Sequence, residues 1–147
     1  MQAIERMPVA RDLFLGEGAD TRLIGTRCTS CGTHYFPKSL SCRNPQCHDK
    51  AIEDALLGPG GSLYSYTVQI YRPPALFRMD PWQPYAIGMV ELAQGLRVMG
   101  MLTGCPLDAI HIGMALELTA EPLYRDEQNR DVLTYKFRPR ADQGART

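Results

Sequence analysis

The sequence has little that would suit an enzyme acting alone. It holds only three histidines in 147 residues. It also lacks a Gly-rich nucleophile turn, a phosphate-binding loop and a pair of acids at a spacing that indicates a catalytic pair. Acid–base and nucleophilic catalysis both need such groups within reach of one another. We therefore expect no catalytic residue in this chain, and a subunit or a binding module rather than an independent enzyme.

An excess of charge is also missing, since 16 Lys and Arg residues face 16 Asp and Glu residues. A neutral chain creates no overall field that would attract nucleic acid or an anionic membrane. Residues 21–50 depart from this balance, with five cations against the single acid Asp49. The five are Arg22, Arg27, Lys38, Arg43 and Lys50. We expect them to neutralise a negatively charged metal site, and contact with a phosphate-bearing ligand is the alternative.

Long apolar stretches are absent too. The first residues, MQAIERMPVARDLFL, contain no apolar core suited to a signal peptide, and no apolar run of the length of a membrane span follows. The sequence thus predicts a soluble, cytoplasmic protein without a membrane partner. In a reducing cytosol, clustered cysteines bind metal more often than they form disulfides.

Four of the five cysteines are present as such a cluster. Cys28, Cys31, Cys42 and Cys47 have the spacing C-x2-C-x10-C-x4-C, which is typical of two metal-binding turns joined by a short hairpin. The four thiolates can fill every position of a tetrahedral site, so His34 and His48 are not needed as ligands. This predicts a structural Zn2+ site, and iron in a rubredoxin-like site is the rival.

The patterns along the chain predict a mainly β protein. Residues 1–20 are expected to form a short helical segment, residues 21–57 a rubredoxin-like zinc ribbon, and residues 141–147 a flexible tail. Gly58-Pro59-Gly60-Gly61 is a strong break, after which residues 58–140 are expected to form a five-stranded barrel of the OB type. The five runs rich in Val, Ile, Tyr and Thr that predict its strands are residues 62–71, 84–92, 96–102, 115–123 and 132–137.

The connection from Arg72 to Gln83 is far longer than a hairpin turn requires. It carries Arg72, Phe77, Arg78 and the only tryptophan, Trp82. Large apolar and cationic side chains on a long loop favour a surface that faces a partner or a CoA ester. Alternatively, Phe77 and Trp82 fold back as a lid over one end of the barrel.

Two other features suggest chemistry that we weigh less heavily. Cys105 and His111 could form a nucleophile pair, although a small buried thiol in a turn is the commoner role. Tyr64 and Tyr66 could stack on bases of single-stranded nucleic acid. The net negative charge of residues 51–147 argues against a groove that follows phosphates, so we do not expect nucleic acid as a partner.

The order of these parts resembles a known family, the zinc-ribbon plus OB-fold proteins associated with acyl-CoA enzymes. The resemblance extends from about Asp12 to Pro139 and is carried by the C-x2-C-G turn, the FP pair, the second cysteine pair, the run GSLYSYTV and the run IGM. Within that family the chain is similar to small subunits of thiolases in aromatic-acid breakdown, the benzoylsuccinyl-CoA thiolases among them. The four residues between Cys42 and Cys47, where the family has two, are a departure that leaves the ligand geometry open.

The resemblance implies a role as well as a fold. It implies a non-catalytic accessory subunit of a thiolase-like acyl-CoA C-acyltransferase, in a hetero-oligomer whose catalytic residues lie in the partner chain. This chain would stabilise that partner and help to form the channel for CoA and substrate, with a CoA ester as the ligand of the complex. The alternative function is a free-standing module that binds acyl-CoA or single-stranded nucleic acid.

Overall fold

The computed structural model describes residues 6–10, 13–71 and 83–140. Within these ranges the regular structure consists of ten strands and two single turns of 3-10 helix, at Gly18–Asp20 and Leu107–Ala109. The strands are β1 (Arg6–Pro8), β2 (Phe14–Leu15), β3 (Arg22–Cys28), β4 (His34–Tyr35), β5 (Ile52–Leu57), β6 (Gly60–Gln69), β7 (Tyr85–Leu92), β8 (Arg97–Leu102), β9 (Ala115–Arg125) and β10 (Asp131–Pro139). The mainly β prediction is confirmed.

Five of these strands close into a barrel in the order β6-β7-β8-β10-β9, with β9 pairing back onto β6. All pairs are antiparallel except β8 with β10, which is the topology of an OB fold. The five runs predicted from the sequence overlap β6–β10, although β6 extends from Gly60 to Gln69 where the prediction gave residues 62–71. Alternation of buried and exposed positions explains this agreement. In β7, for example, Glu91 is exposed between buried neighbours, and the buried residues are Ala86, Gly88, Val90 and Leu92.

A smaller sheet forms around β3, which pairs with β2 and β4 and, from Leu23 to Cys28, with β5. The β5 sequence IEDALL predicts no strand, because Glu53 and Asp54 interrupt its apolar alternation. Pairing with β3 overrides that local pattern, and both acids form ion pairs, with Arg27 at 3.1 Å and Lys38 at 3.0 Å respectively.

The two sheets share one hydrophobic core. Phe14, Leu23 and Leu57 from the smaller sheet belong to the same buried cluster as Leu118 and Phe137 from the barrel. The chain passes from β5 to β6 through Gly58 and Pro59. There the side-chain amide of Gln94 donates to the carbonyl oxygen of Gly58 at 2.9 Å and fixes the corner. The predicted domain limits at residues 20, 57 and 140 remain predictions.

The expected helical segment at the N-terminus is wrong over the described residues. Arg6–Pro8 forms β1, which pairs in parallel with Asp131–Leu133 of β10, and Phe14–Leu15 forms β2. The reason is non-local, because β8 covers only Lys136 and Phe137 of β10 and leaves the earlier part of that edge for β1. A segment interrupted by Pro8 also has too few residues to nucleate a helix alone.

Two predictions fall on residues outside the described ranges. They concern the tail at residues 141–147 and the loop after Tyr71, of which the described residues include Gln83 alone. Among the described residues, no helix has the length and apolarity needed to cross a membrane.

Candidate metal centre and partner-facing residues

The first cysteine turn lies at the end of β3. The backbone N–H of Cys28 donates to the carbonyl of Thr33 at 2.9 Å, and that of Gly32 donates to the carbonyl of Cys28 at 2.8 Å. Gly32 has φ +79°, a left-handed conformation that glycine adopts without strain. This tight turn brings the thiols of Cys28 and Cys31 to the same side.

The second turn accommodates its two extra residues through Asn44. The Asn44 carbonyl accepts the N–H of Cys47 at 3.0 Å, and its side-chain oxygen accepts the N–H of Gln46 at 3.0 Å. The ammonium of Lys50 donates to the carbonyls of Cys42 and Asn44, at 3.1 and 2.8 Å. The wider spacing is therefore absorbed by a closed loop, and Cys42 and Cys47 still point to a common centre.

The four sulfur atoms converge, all lying within 4.8 Å of one another. Cys28 Sγ is 3.7 Å from Cys47 Sγ, and Cys31 Sγ is 3.6 Å from Cys42 Sγ. Tetrahedral coordination at a Zn–S distance of about 2.3 Å puts neighbouring sulfurs about 3.8 Å apart. Cys28, Cys42 and Cys47 are buried, and Cys31 is exposed. The cluster could hold one tetrahedral metal ion, and neither His34 nor His48 belongs to it.

Hydrogen bonding and burial act differently on the thiols of Cys28, Cys31 and Cys47. Backbone hydrogen bonds, first from Cys31 and then from Ala51, lower the pKa of Cys28 to about 6. The hydroxyl of Thr33 lowers the pKa of Cys31. Burial raises the pKa of Cys47 to about 12, so this thiol would keep its proton unless a cation compensates for its desolvation. An S4 set of this kind suits a cation at its centre.

Tyr35 is a contributor to the cluster that the sequence reasoning missed. Its hydroxyl lies 3.3 Å from Cys42 Sγ and accepts the backbone N–H of Arg43 at 2.7 Å. The guanidinium of Arg43 lies over the Tyr35 ring, 5.7 Å from its centroid. No spacing rule marks a tyrosine for this role, although its position between the two cysteine pairs is visible in the sequence.

The cations of residues 21–50 have partners of their own in the fold. Arg27 and Lys38 pair with acids of β5, and Lys50 binds carbonyls of the second cysteine turn. Arg22 donates to the carbonyls of Ala19 and Thr21. Of the five, Arg43 and Lys50 lie at the second cysteine turn, so these two are placed to neutralise a metal ion that the cysteines could hold.

The Cys105–His111 pair receives no support. The Cys105 thiol packs against the barrel core, and burial raises its pKa, which opposes the thiolate form that a nucleophile needs. The His111 ring is exposed, with Nδ1 3.2 Å from the carbonyl oxygen of Ala109. The predicted partner-facing residues Arg72, Phe77, Arg78 and Trp82 lie outside the described residues.

The two tyrosines of β6 are engaged in ways that do not suit base stacking. The guanidinium of Arg97 lies 3.6 Å from the centroid of the Tyr64 ring and covers one of its faces. The Tyr66 hydroxyl donates to the carbonyl of Ile110 at 3.3 Å. A bulge at Tyr64 places the two rings differently from what simple alternation predicts.

Two family models match the chain. The model described as "ChsH2, rubredoxin-like zinc ribbon domain" matches residues 17–53. The model described as "ChsH2, C-terminal OB-fold domain" matches residues 55–121. Together these matches confirm the predicted resemblance to a family that combines a zinc ribbon with an OB fold.

Individual relatives point the same way. A "DUF35 domain-containing scaffold protein" of Methanocaldococcus jannaschii is 36% identical over 120 residues, which cover 80% of this chain and 81% of that protein. The "Benzoylsuccinyl-CoA thiolase subunit BbsA" of Thauera aromatica is 29% identical over 122 residues, covering 83% and 79%. A chain of the solved "Ltp2-ChsH2(DUF35) aldolase" is 31% identical with a TM-score of 0.62, covering 80% of this chain and 84% of that one.

Proposed function

Because this chain belongs to the ChsH2 family of zinc-ribbon and OB-fold proteins, we propose that it is a non-catalytic accessory subunit of a thiolase-type acyl-CoA C-acyltransferase. Relatives are named as scaffold proteins, as a thiolase subunit and as part of an aldolase. The catalytic partner would form a hetero-oligomer with this chain, and a CoA ester would be the ligand of the complex.

One observation carries the assignment of the chemistry to the partner. The four cysteines that first suggest a reactive centre turn their sulfurs toward one another, so a metal held there would have no open position for substrate. The remaining thiol, Cys105, has a raised pKa because it is partly buried. The partner's own cysteine would take the acyl group, and its histidines would transfer protons.

In this proposal Cys28, Cys31, Cys42 and Cys47 hold a structural Zn2+, with iron as the rival metal. The metal would cross-link the two cysteine turns. The ribbon needs this cross-link because strands as short as β4 bury too little apolar surface to stabilise it. Its effect on function would be indirect, through the shared core that joins the ribbon to the barrel.

The accessory role would include stabilising the catalytic subunit and helping to form the CoA and substrate channel. The segment from Arg72 to Gln83 is the candidate for the channel, with Phe77 and Trp82 as apolar contacts. Arg72 and Arg78 would meet phosphate oxygens of CoA, since guanidinium groups bind them in bidentate fashion.

Co-purification and reconstitution test the proposal. The chain is expressed with a thiolase-type polypeptide from the same genome, and acyl transfer to CoA is measured for each protein alone and for the mixture. We expect a stable complex and activity in the mixture only. Full turnover by the large polypeptide alone would refute the accessory role.

A free-standing binding module is the alternative, and calorimetry separates it from the subunit role. The module predicts a monomer that binds a CoA ester or a single-stranded oligonucleotide unaided. Oligonucleotide binding is disfavoured by the Arg97 guanidinium over Tyr64, which leaves less ring surface for a base. Tight binding of either ligand by the isolated chain would favour the module.

A further inference from the structure

The β6 strand has one edge without a strand partner in the part of the chain that the structure describes. Its pairing with β7 continues to Gln69, whereas its pairing with β9 stops at Ser62. On the β9 side, Leu63 still exchanges hydrogen bonds with Met114 and Gly113. Beyond Leu63, the described residues offer no strand to this edge.

Five large apolar or aromatic side chains on this edge of β6 and on the two residues that follow it are exposed. Ile70 and Tyr71 are 61% and 75% exposed, and Tyr64, Tyr66 and Val68 are exposed as well. No charged residue occurs from Gly60 to Tyr71. Proteins normally protect an exposed edge strand with lysine, proline or a covering segment, and they deplete charge where a surface becomes the centre of an interface. Residues 64–71 thus have the properties of an interface rather than of a protected edge.

Pairing with β7 holds this part of β6 in a fixed geometry in the free chain. Residues of β7 that lie beside it, Tyr85 and Ala86, are buried. Tyr66 and Val68 stand opposite Gly88 and Ala86 in the register. With Ile70 they form a row at every second position, while Thr67 and Gln69 point to the other face.

We propose that the free edge of β6 from Tyr64 to Gln69, together with Ile70 and Tyr71 after it, binds the catalytic subunit, which contributes an extended segment with alternating apolar side chains as an additional strand. The inference rests on the proposed function. An unpaired strand edge offers backbone donors and acceptors that only another extended backbone can satisfy in register. Tyr66, Val68 and Ile70 carry no charge, so they favour an apolar occupant over an acidic or phosphate-bearing one. The solved aldolase to which this chain is similar is named after two proteins, Ltp2 and ChsH2.

The test compares lysine substitutions at two different surfaces, and the single variants Ile70→Lys and Leu40→Lys are the matched pair. Val68→Lys/Ile70→Lys puts charge on the β6 edge, and Leu40→Lys puts it on the fully exposed Leu40 of the ribbon. Each purified variant is titrated with the purified thiolase-type polypeptide that forms the complex with the wild-type chain. We expect at least about 100-fold weaker binding for the β6 variant, the loss of two interface anchors, and unchanged binding for Leu40→Lys. Near-ultraviolet circular dichroism checks that each variant keeps the native fold. If the double variant does not fold, Ile70→Lys alone is used in its place.

Hydrogen exchange separates strand addition from side-chain contact alone. Backbone amides of residues 64–70 should become protected in the wild-type complex, while those of residues 38–41 should not.

Wild-type affinity in the β6 variant, or unprotected amides in the complex, would overturn the inference and leave the accessory role standing. Absence of any complex with the wild-type chain would reject both. A dimer of the chain alone that the β6 variant abolishes would assign the edge to a second copy and overturn it as well.

Discussion

The ring of Tyr135 in β10 stands edge-on to the ring of Phe36 in the ribbon, with centroids 5.7 Å apart and planes at 88°. The same ring makes edge contacts with Phe14 at 6.3 Å and with Phe137 at 6.2 Å. Tyr135 therefore touches both the ribbon side and the barrel side of the common core. Since aromatic pairs of this kind stabilise by about 0.5–1.5 kcal/mol each beyond burial, the ribbon and the barrel should unfold together.

Tyr135→Phe tests the polar part of this junction. The Tyr135 hydroxyl donates to the carbonyl of Met99 at 2.6 Å, so its removal should lower the free energy of unfolding by about 1 kcal/mol near pH 8. Burial raises the pKa of Tyr135 from 10.0 to about 12. The unfolded chain therefore loses this proton first, and wild-type stability should fall as the pH rises above 10.

The pH dependence is read from urea denaturation between pH 8 and pH 11.5. The advantage of the wild type over Tyr135→Phe should shrink above pH 10, with a limit on the order of 2 kcal/mol for a full shift. Tyr85, whose pKa is also raised by burial, is present in both proteins and cancels in the difference. Two curves that stay parallel up to pH 11.5 would contradict the assignment to Tyr135.

Gly100→Ala tests how closely β8 approaches the same rings. A Cβ at position 100 would lie 2.8 Å from a ring carbon of Phe137 and 2.9 Å from one of Tyr135. Overpacking of this kind costs about 1–3 kcal/mol. In the double variant Gly100→Ala/Phe137→Leu the smaller leucine makes room for the new Cβ. The double variant should therefore lose at least about 0.5 kcal/mol less stability than the sum of the losses of the two single variants. Additive losses in urea denaturation would argue against this contact.

The barrel could be predicted from the sequence because its determinants are local. Strands such as β7 and β10 combine β-branched and aromatic residues with alternation. Turns such as the one at Gly95, between β7 and β8, separate neighbouring strands. The convergence of the four cysteines was predictable for a similar reason, since each turn is defined by the spacing of its own pair and the hairpin between them is short.

What could not be predicted depends on partners distant in sequence. β1 forms because the edge of β10 beside Asp131–Leu133 is available, and β5 forms because β3 pairs with it despite Glu53 and Asp54. The role of Tyr35 beside Cys42 and the free edge of β6 also arise from tertiary placement. The local sequence of these segments does not indicate which strand or side chain the fold will place beside them.

Asp126→Asn tests the turn between β9 and β10. One carboxylate oxygen of Asp126 accepts the backbone N–H groups of Gln128 and Arg130, and the other accepts Nε of Arg130 at 2.8 Å. These bonds, led by the backbone N–H of Arg130, lower the pKa of Asp126 below its ordinary 3.8. The stabilisation is thus present above pH 3.8 and is lost as the pH falls through the lowered pKa.

The asparagine variant should have a lower urea midpoint at neutral pH, and the gap to the wild type should close in acid. Glu127→Gln is the matched control, because it removes the same charge from an exposed position of the same turn and leaves the bonds of Asp126 in place. A gap that persists unchanged below pH 3, or an equal effect of Glu127→Gln, would show that the carboxylate of Asp126 does not act through these bonds.

Cys42→Ser tests whether the four cysteines form a structural metal site. Wild-type protein should carry one metal ion per chain by mass spectrometry, and the variant should lose it, since metal binding that supplies on the order of 10 kcal/mol to folding depends on each thiolate. Because Phe14, Leu23 and Leu57 share the core of the barrel, the thermal transition of the whole chain should move to lower temperature. Cys105→Ala, at the thiol outside the cluster, should keep the metal. Retention of one ion by Cys42→Ser, or its loss from Cys105→Ala, would contradict the S4 assignment.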